Sequence, residues 1–425
     1  MKVLHVIPSV SERSGGPGHA IIPMCRSLQE QGTEVMIATT DHGMVSSPES
    51  QVSSSDYRVS RSTSTDARDF EGRTPRDEAL TRNPKLETQN HYKGVPTIFF
   101  PLQWGESFKY SKPLASWLDA NVKRFDVVHI HAVFNHACLA AASACRKHHV
   151  PYVVRPLGTL DPWSMKQKPV RKFLFWQMAG KQMLQGAAAV HYTARAEQAA
   201  AEESLGLNHG RVIPLGVNTD LPARANGKEI LSDKLTNLNG HRYVLVLSRL
   251  HPKKGLDIFV EAFVSLVEQK NFQDWRLVLA GEGPDDYVQT LKQKISSHGA
   301  EEVVLFPGWL EGDEKVAFLQ HASLLALPSY HENFGLCVME ALAVGVPVLI
   351  SPHVNLADEI QAAGAGWVAP VEKLPIETML AEALGSENER AKRGKAGRDL
   401  SREFSCESVA TRLNELYAAV AAATN

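Results

Sequence analysis

Two glutamates, Glu332 and Glu340, flank the start of a helix in the segment SYHENFGLCVMEALAVGVPVLI (329–350). The short apolar runs Leu324–Pro328 and Pro347–Ile350 on either side make the unit strand, loop, helix, strand. Gly335 ends the loop. A helix beginning near Leu336 turns unpaired N–H groups and the positive end of its dipole toward whatever sits in front of the preceding strand, a place suited to phosphate. Glu332 belongs to the loop, whereas Glu340 lies roughly 12 Å of chain further on, at about 1.5 Å per residue. An ionised carboxylate accepts two hydrogen bonds from a vicinal diol, so the pair fits a ligand carrying hydroxyls beside its phosphate, such as a sugar or ribose. A solvated helix charge and a plain loop charge satisfy the same spacing, and other residues must decide.

Two further loops follow strands. Ser248-Arg249-Leu250-His251-Pro252-Lys253-Lys254-Gly255-Leu256 places Arg249 and Lys254 at the mouth of a sheet. Two cations there suit a leaving diphosphate, whose charge grows as its bond to a sugar breaks. Lys253 is read as a solvated neighbour. Ser14-Gly15-Gly16-Pro17-Gly18 follows the first strand and lets backbone approach a diphosphate in front of the next helix. It is not G-x-G-x-x-G, and a tight structural turn is the competing explanation.

The elements that must position these loops alternate. Strands at Lys2–Ile7, Glu34–Thr39, Thr97–Pro101, Asp126–His131 and Tyr152–Val154 interleave with helices at His19–Gln31, Pro113–Val122 and Ala137–His148. After a polar stretch to Gly240, a second run has strands at Tyr243–Leu247, Trp275–Ala280, Val303–Phe306, Leu324–Leu327 and Val346–Ile350. This predicts an α/β chain of two Rossmann-like, doubly wound domains, 1–215 and 216–404, facing across a cleft at their strand C-terminal ends. The last helix, about Cys406–Ala423, carries Val409, Leu413, Leu416 and Tyr417 at helical spacing and must pack on something. Residues 43–93, rich in Ser, Thr and Arg, have too few apolar side chains to bury much surface and read as a long mobile excursion.

Composition narrows the classes. A chain of 425 residues favours two domains, and 45 Lys plus Arg against 47 Asp plus Glu leave no global field for nucleic acid. The opening MKVLHVIPSV is a strand and turn rather than a signal peptide, and no apolar stretch reaches the roughly 18 residues needed to span a bilayer, so a cytoplasmic protein is expected. Cys25, Cys138, Cys145, Cys337 and Cys406 are scattered, without C-x-x-C spacing, and read as reduced thiols. His129 and His131 alternate on one strand and His136 follows, but no carboxylate or thiol has matching spacing. They read as core and loop histidines, and no metal is expected. Asp285-Asp286, after GEGP, reads as acidic charge on a helix N-terminus.

GGPG after the first strand, Ser248-Arg249 with Lys254-Gly255, GEGP (281–284), FPG (306–308) and the E-x7-E pair Glu332 and Glu340 together resemble the retaining glycosyltransferases of family 4, with the GT-B fold. The resemblance spans most of the chain. It implies a nucleoside-diphosphate sugar donor held mainly by the second domain, and transfer with retained anomeric configuration to a glycan or glycolipid acceptor of envelope or polysaccharide type. No essential metal or other cofactor is implied. Arg249 and Lys254 would hold the diphosphate, Glu332 the donor sugar's hydroxyls and Glu340 the ribose. Backbone N–H groups of Asn333, Phe334, Gly335 and Leu336 would meet sugar and phosphate, Gly16 would close on the phosphate, and Leu310 would pack on the base. The C-terminal helix (405–425) would cross back to the first domain.

There is one departure. Many members carry a histidine near the sugar's reacting carbon, after the strand matching Tyr152–Val154, where this chain reads RPLGTLDPW (155–163) with Leu157 in that place. A leucine neither donates a hydrogen bond nor moves a proton. In a front-face mechanism the leaving phosphate oxygen can itself take the acceptor's proton, and His131 and Asp161 are the candidate replacements.

The segment 163–184 holds Lys166, Lys168, Arg171, Lys172 and Lys181 among Phe173, Phe175 and Trp176, with no acidic residue. It suits peripheral contact with anionic lipid beside a lipid-linked acceptor, or a core-packed helix with its basic residues toward water or an anionic acceptor. Two other functions compete with transfer: a nucleotide-sugar epimerase on the same fold, and a nucleotide-sugar binding module whose catalysis has decayed, supported only by Leu157.

Overall fold

The computed structural model describes residues 1–11, 15–43, 90–105, 107–165, 169–219, 221, 226–238, 240–269 and 271–423. Residues 44–89 of the expected excursion, Ser14 of the glycine loop, and Lys166 and Lys168 of the basic segment lie outside them.

The first sheet contains β1 (Lys2–Val6), β2 (Glu34–Thr40), β3 (Asn90–Tyr92), β4 (Val95–Phe100), β5 (Val127–His131), β6 (Tyr152–Arg155), β7 (Ala189–Tyr192) and β8 (Gly210–Val212). Their order is β3-β4-β2-β1-β5-β6-β7-β8, parallel except where β3 meets β4. The second sheet contains β9 (Arg242–Leu247), β10 (Trp275–Ala280), β11 (Val304–Gly308), β12 (Leu324–Leu327), β13 (Val348–Ile350) and β14 (Gly366–Val368), in the order β11-β10-β9-β12-β13-β14. Every pairing there is parallel.

Both sheets are buried on two faces, which explains their near-continuous apolar runs, such as the wholly buried β12 and β13. Each therefore has one apolar cluster per face. Strand order reverses between β1 and β5 and between β9 and β12. Such switch points are where open α/β sheets leave a crevice; the loops after β9 and β12 hold Arg249 and Glu332, and Gly16 opens the helix that follows the loop after β1.

The C-terminal helix, Cys406–Ala422, begins where Val217 and Ser405 pair as an isolated parallel bridge, with the Ser405 side chain capping Ser408 N–H. Its Val409, Leu413, Leu416, Tyr417 and Val420 join Val3, Ile21, Cys25 and Val127 in one cluster, so it packs on the first sheet. The five cysteines are all free thiols.

β3, β7, β8 and β14 are not foreshadowed by the strand pattern of the sequence. β7 lies in the alanine-rich run AAAVHYTA, whose weak strand propensity is overridden by pairing with β6 and β8. The described part of the basic segment is helical, with a π-turn inside the run from Pro169 to Gln185. Its ranges are Pro162–Met165, Pro169–Phe175, the π-turn Trp176–Gly180 and Lys181–Gln185, the last three contiguous.

Candidate active site

A cavity of about 350 Å³ opens between the two sheets, lined by Gly15, Gly16 and Leu157 from the first and by Arg249, Lys254, Trp309, Leu310, Glu332 and Glu340 from the second. All the residues expected to bind a donor, including Asn333, Phe334, Gly335 and Leu336, border it. Arg249, Lys253, Lys254 and Lys315 against Glu332 and Glu340 leave its wall with more positive than negative side chains.

Lys254 ends a short turn, Pro252–Lys254, that His251 caps by accepting the Lys253 N–H at 3.1 Å. Gly255 follows with φ 63°, and a Cβ there would stand 2.4 Å from the Pro328 carbonyl oxygen. Only glycine lets the loop after β9 come this close to the end of β12. The result is a direct ion pair between the Lys254 ammonium and the Glu332 carboxylate, both largely buried. Burial pushes the Glu332 carboxyl up, but the charge and hydrogen bond of Lys254, with Lys253 nearby, bring it below its ordinary value.

The helix after this loop runs Leu336–Ala343 from a left-handed Gly335, as the sequence predicts, and carries Glu340. Glu340 Oε1 receives Lys315 Nζ at 2.6 Å. Lys315 sits on the helix Gly312–His321, where nothing in the chain singles it out. Trp309 lines the same wall, with His19 from the first half facing it at 6.3 Å between ring centroids. Gly16 stands opposite Leu336, whose Cδ1 would lie 3.7 Å from a Cβ at that position.

Leu157 faces the cavity in a left-handed conformation, φ 59°, followed by Gly158 at φ 70°. A Cβ on Gly158 would sit 2.7 Å from Asn333 Cγ, so glycine is what permits the two halves to touch here. Buried Glu197, absent from the sequence reading, fixes this corner by accepting N–H from Gly158 at 2.6 Å and from Thr193 at 2.7 Å. Thr193 Oγ1 in turn accepts from Asn333 Nδ2 at 3.0 Å. Burial pushes the Glu197 carboxyl up, opposed by these hydrogen bonds.

The two candidate replacements for the missing histidine part company. Asp161 Oδ1 lies 3.6 Å from Nε2 of His331, a cavity residue next to Glu332 that the sequence reading passes over. His131 does not reach the cavity. It is wholly buried on the sheet face beneath the C-terminal helix, with His5, His129 and His191. There His5 Nδ1 and His131 Nε2 are 2.9 Å apart, His191 Nδ1 and His129 Nε2 are 3.2 Å apart, and His129 Nδ1 meets the Tyr417 hydroxyl at 2.7 Å. Nitrogens of His5, His129 and His131 all fall within 4.8 Å of one another, a spacing that could hold a metal. The buried Arg155 guanidinium beside them disfavours a second cation. Burial, then that guanidinium, lowers His5 to about 3 and His191 to about 3 and holds His131 well below the usual histidine range, while burial and then the neighbouring histidines do the same for His129.

In the basic segment, Lys172 turns inward, donating to the Ser164 carbonyl and lying 5.1 Å from the Phe134 ring centroid. Val170 and Phe173 are exposed. No described helix is long and apolar enough to cross a membrane.

Comparison with known proteins bears on the family and the fold. Residues 15–216 match the glycosyl transferase 4-like domain and residues 227–400 the glycosyl transferases group 1 family. D-inositol 3-phosphate glycosyltransferase of Corynebacterium aurimucosum is 28% identical over 223 residues, 49% of this chain and 50% of the relative. The amylovoran biosynthesis glycosyltransferase AmsK of Erwinia amylovora is 31% identical over 133 residues, 30% of this chain and 32% of its own. The chain thus spans half or less of the length of these curated relatives. Among solved structures, Anabaena HepE in complex with UDP and glucose superposes with a TM-score of 0.72 at 18% identity, covering 99% of this chain and 100% of the other. Sucrose-phosphate synthase from Thermosynechococcus elongatus gives 0.72 at 17% identity, with 99% of each chain covered. Two matching family regions that together span most of the chain, and a GT-B architecture shared end to end, place this protein in the group 1 glycosyltransferase family.

Proposed function

We propose that this chain transfers a sugar from a nucleoside-diphosphate sugar to a glycan or glycolipid acceptor of envelope or polysaccharide type, with retention at the anomeric carbon. The observation that carries the reading is the cavity wall itself: the Lys254–Glu332 and Lys315–Glu340 pairs, Arg249, and the N-terminus of the helix Leu336–Ala343 converge on one space. Cations and backbone N–H groups there can bind a diphosphate and stabilise the charge it gains on leaving. Glu332 and Glu340 each keep a carboxylate oxygen for sugar or ribose hydroxyls. A UDP complex of the structural neighbour HepE favours such a donor.

The residue ranges divide the labour as 1–215 on the acceptor side and 216–404 on the donor side, with 405–425 returning to the first. Exposed Val170 and Phe173 support peripheral contact of the acceptor side with a membrane at its cytoplasmic face. With Leu157 in the cleft, the attacking hydroxyl would pass its proton to the departing phosphate oxygen as the donor C–O bond breaks and the new one forms on the same face.

Lys254→Ala tests transfer against mere binding. A transferase should lose roughly a hundredfold in the rate of nucleoside-diphosphate release from its donor, since one lost leaving-group donor costs about 3 kcal/mol in the barrier. A wild-type protein that binds a nucleotide sugar but never breaks it, in water or with acceptor extracts, would overturn the proposal.

A further inference from the structure

The loop after β4 carries a feature that the cavity does not use. Trp104 is 60% exposed, the largest ring among the exposed apolar side chains of the described residues, and it does not line the cavity. It is not a stray side chain. Trp104 and Tyr110 pair as an isolated antiparallel bridge, the Tyr110 N–H donates to the Trp104 carbonyl at 3.1 Å, and their rings lie 5.0 Å apart at 23°. Phe108 stands 6.0 Å from the indole, and its carbonyl accepts the His136 N–H at 2.7 Å, which ties this turn to the start of the helix His136–His148. Tyr110 rests 4.5 Å from the His136 imidazole.

That imidazole has a defined tautomer. The Ser111 backbone N–H donates to Nδ1 at 3.3 Å, and burial lowers the group's pKa, so the ring is neutral near pH 7 with its proton on Nε2. The Nε2–H has no acceptor among the described residues. β4 and β5 run parallel to β1 and β6, so the loops that follow them open on the same edge of the sheet as the loops bringing Gly15 and Leu157 to the cavity. β4 lies two strands from β1, roughly 10 Å at about 4.8 Å per strand.

We propose that Trp104, Tyr110 and His136 form a saccharide-binding platform outside the donor cavity, where a pyranose ring of the acceptor lies against the indole and one of its hydroxyls accepts from His136 Nε2–H. A sugar ring needs both an apolar contact for its C–H groups and partners for its hydroxyls, whereas an acyl chain has no use for an N–H donor beside the ring. Because the platform is set apart from the cavity, the sugar it holds is not the one that attacks, and the acceptor is an oligosaccharide rather than a single sugar. The inference deepens the acceptor side of the reading above.

Isothermal titration without any nucleotide tests it. Maltohexaose, cellohexaose, laminarihexaose, mannohexaose and chitohexaose are screened against the wild type beside their monosaccharides. At least one hexasaccharide should bind, and more tightly than its monosaccharide. Trp104→Ala should weaken that binding roughly tenfold or more, and Trp104→Phe should lose less. His136→Phe, which keeps a ring against Tyr110 but no N–H, should also weaken it, while His136→Gln, with an acceptor for Ser111 and an amide donor, should recover part of the loss. The thermal response to UDP, GDP or ADP should survive in Trp104→Ala, which also shows that the variant is folded. No hexasaccharide binding by the wild type, or an unchanged Kd in Trp104→Ala, overturns the proposal. So does a loss in Trp104→Ala of binding to vesicles of phosphatidylcholine and phosphatidylglycerol with hexasaccharide affinity intact, which would make Trp104 a membrane contact. Since the titration holds no nucleotide, the platform can fail while the donor reading stands, and the reverse.

Discussion

Lys254 and Glu332 neutralise each other across the meeting of two loops that are far apart in sequence, one after β9 and the other after β12. The pair holds an ammonium at the cavity wall and fixes the loop that leads into the helix Leu336–Ala343. Removing either partner leaves the other as a poorly solvated charge. Lys254→Met and Glu332→Gln should each cost about 2 kcal/mol in urea unfolding, and the double variant should recover part of that loss. Additive losses would show that the pair contributes nothing as a unit.

Lys315 extends the same logic to the other glutamate. Because it engages one oxygen of Glu340, Lys315→Ala should release that carboxylate and weaken nucleoside-diphosphate binding by roughly tenfold, about 1.4 kcal/mol, in isothermal titration. A variant that binds as wild type would make the ion pair a bystander.

Gly255 sets the approach of the two loops. Gly255→Ala should cost about 2 kcal/mol from steric crowding against Pro328 and should also weaken diphosphate binding by displacing Lys254. Gly240→Ala is the control, because that glycine has φ 78° but no atom within 4 Å of its Cβ position, and it should cost only about 1 kcal/mol of backbone strain. Equal losses would contradict the close-approach explanation.

The buried histidines make stability depend on pH. His5, His129, His131 and His191 are neutral in the folded protein because burial and Arg155 depress them below their ordinary 6.5. The unfolded chain therefore binds more protons than the folded one once the pH drops below about 6.5, and stability must fall with pH. Each histidine contributes up to about 1.4 kcal/mol per pH unit in that range. Depressed Glu332 acts in the same direction at lower pH, while raised Glu197 opposes it. Urea midpoints should drop steeply between pH 7 and pH 5, and less steeply in His191→Gln. Tyr417→Phe should add a loss of about 1 kcal/mol by leaving His129 without its partner on the C-terminal helix. A flat profile would show that the cluster is solvated or charged.

Much of this architecture is legible in the chain because parallel strands buried on two faces leave continuous apolar runs, and because Gly335 and Gly255 mark where loops turn into helices. The site loops sit at strand ends, so their positions follow from the strands. What stays hidden depends on pairings between distant strands. His5 and His129 are neighbours only because β1 lies beside β5 with that register. His131 therefore looks like a cleft residue at a strand end when its side chain faces the core. Lys315 and Glu197 lie on helices whose local pattern is unremarkable, and their importance comes from what packs opposite them. His331 stands next to a conspicuous glutamate, and only its approach to Asp161 from the other half distinguishes it.

The cavity between the two sheets should bind a nucleoside diphosphate through the second half of the chain. Thermal-shift measurement of the wild type and Glu340→Ala against UDP, GDP and ADP tests it most directly. A ligand at a hundred times its Kd should add about 2.7 kcal/mol of stability. One diphosphate should raise the Tm of the wild type by several degrees, and Glu340→Ala should lose most of that response, measured against its own ligand-free Tm. No shift with any diphosphate, or an identical shift in the Glu340 variant, would contradict the account.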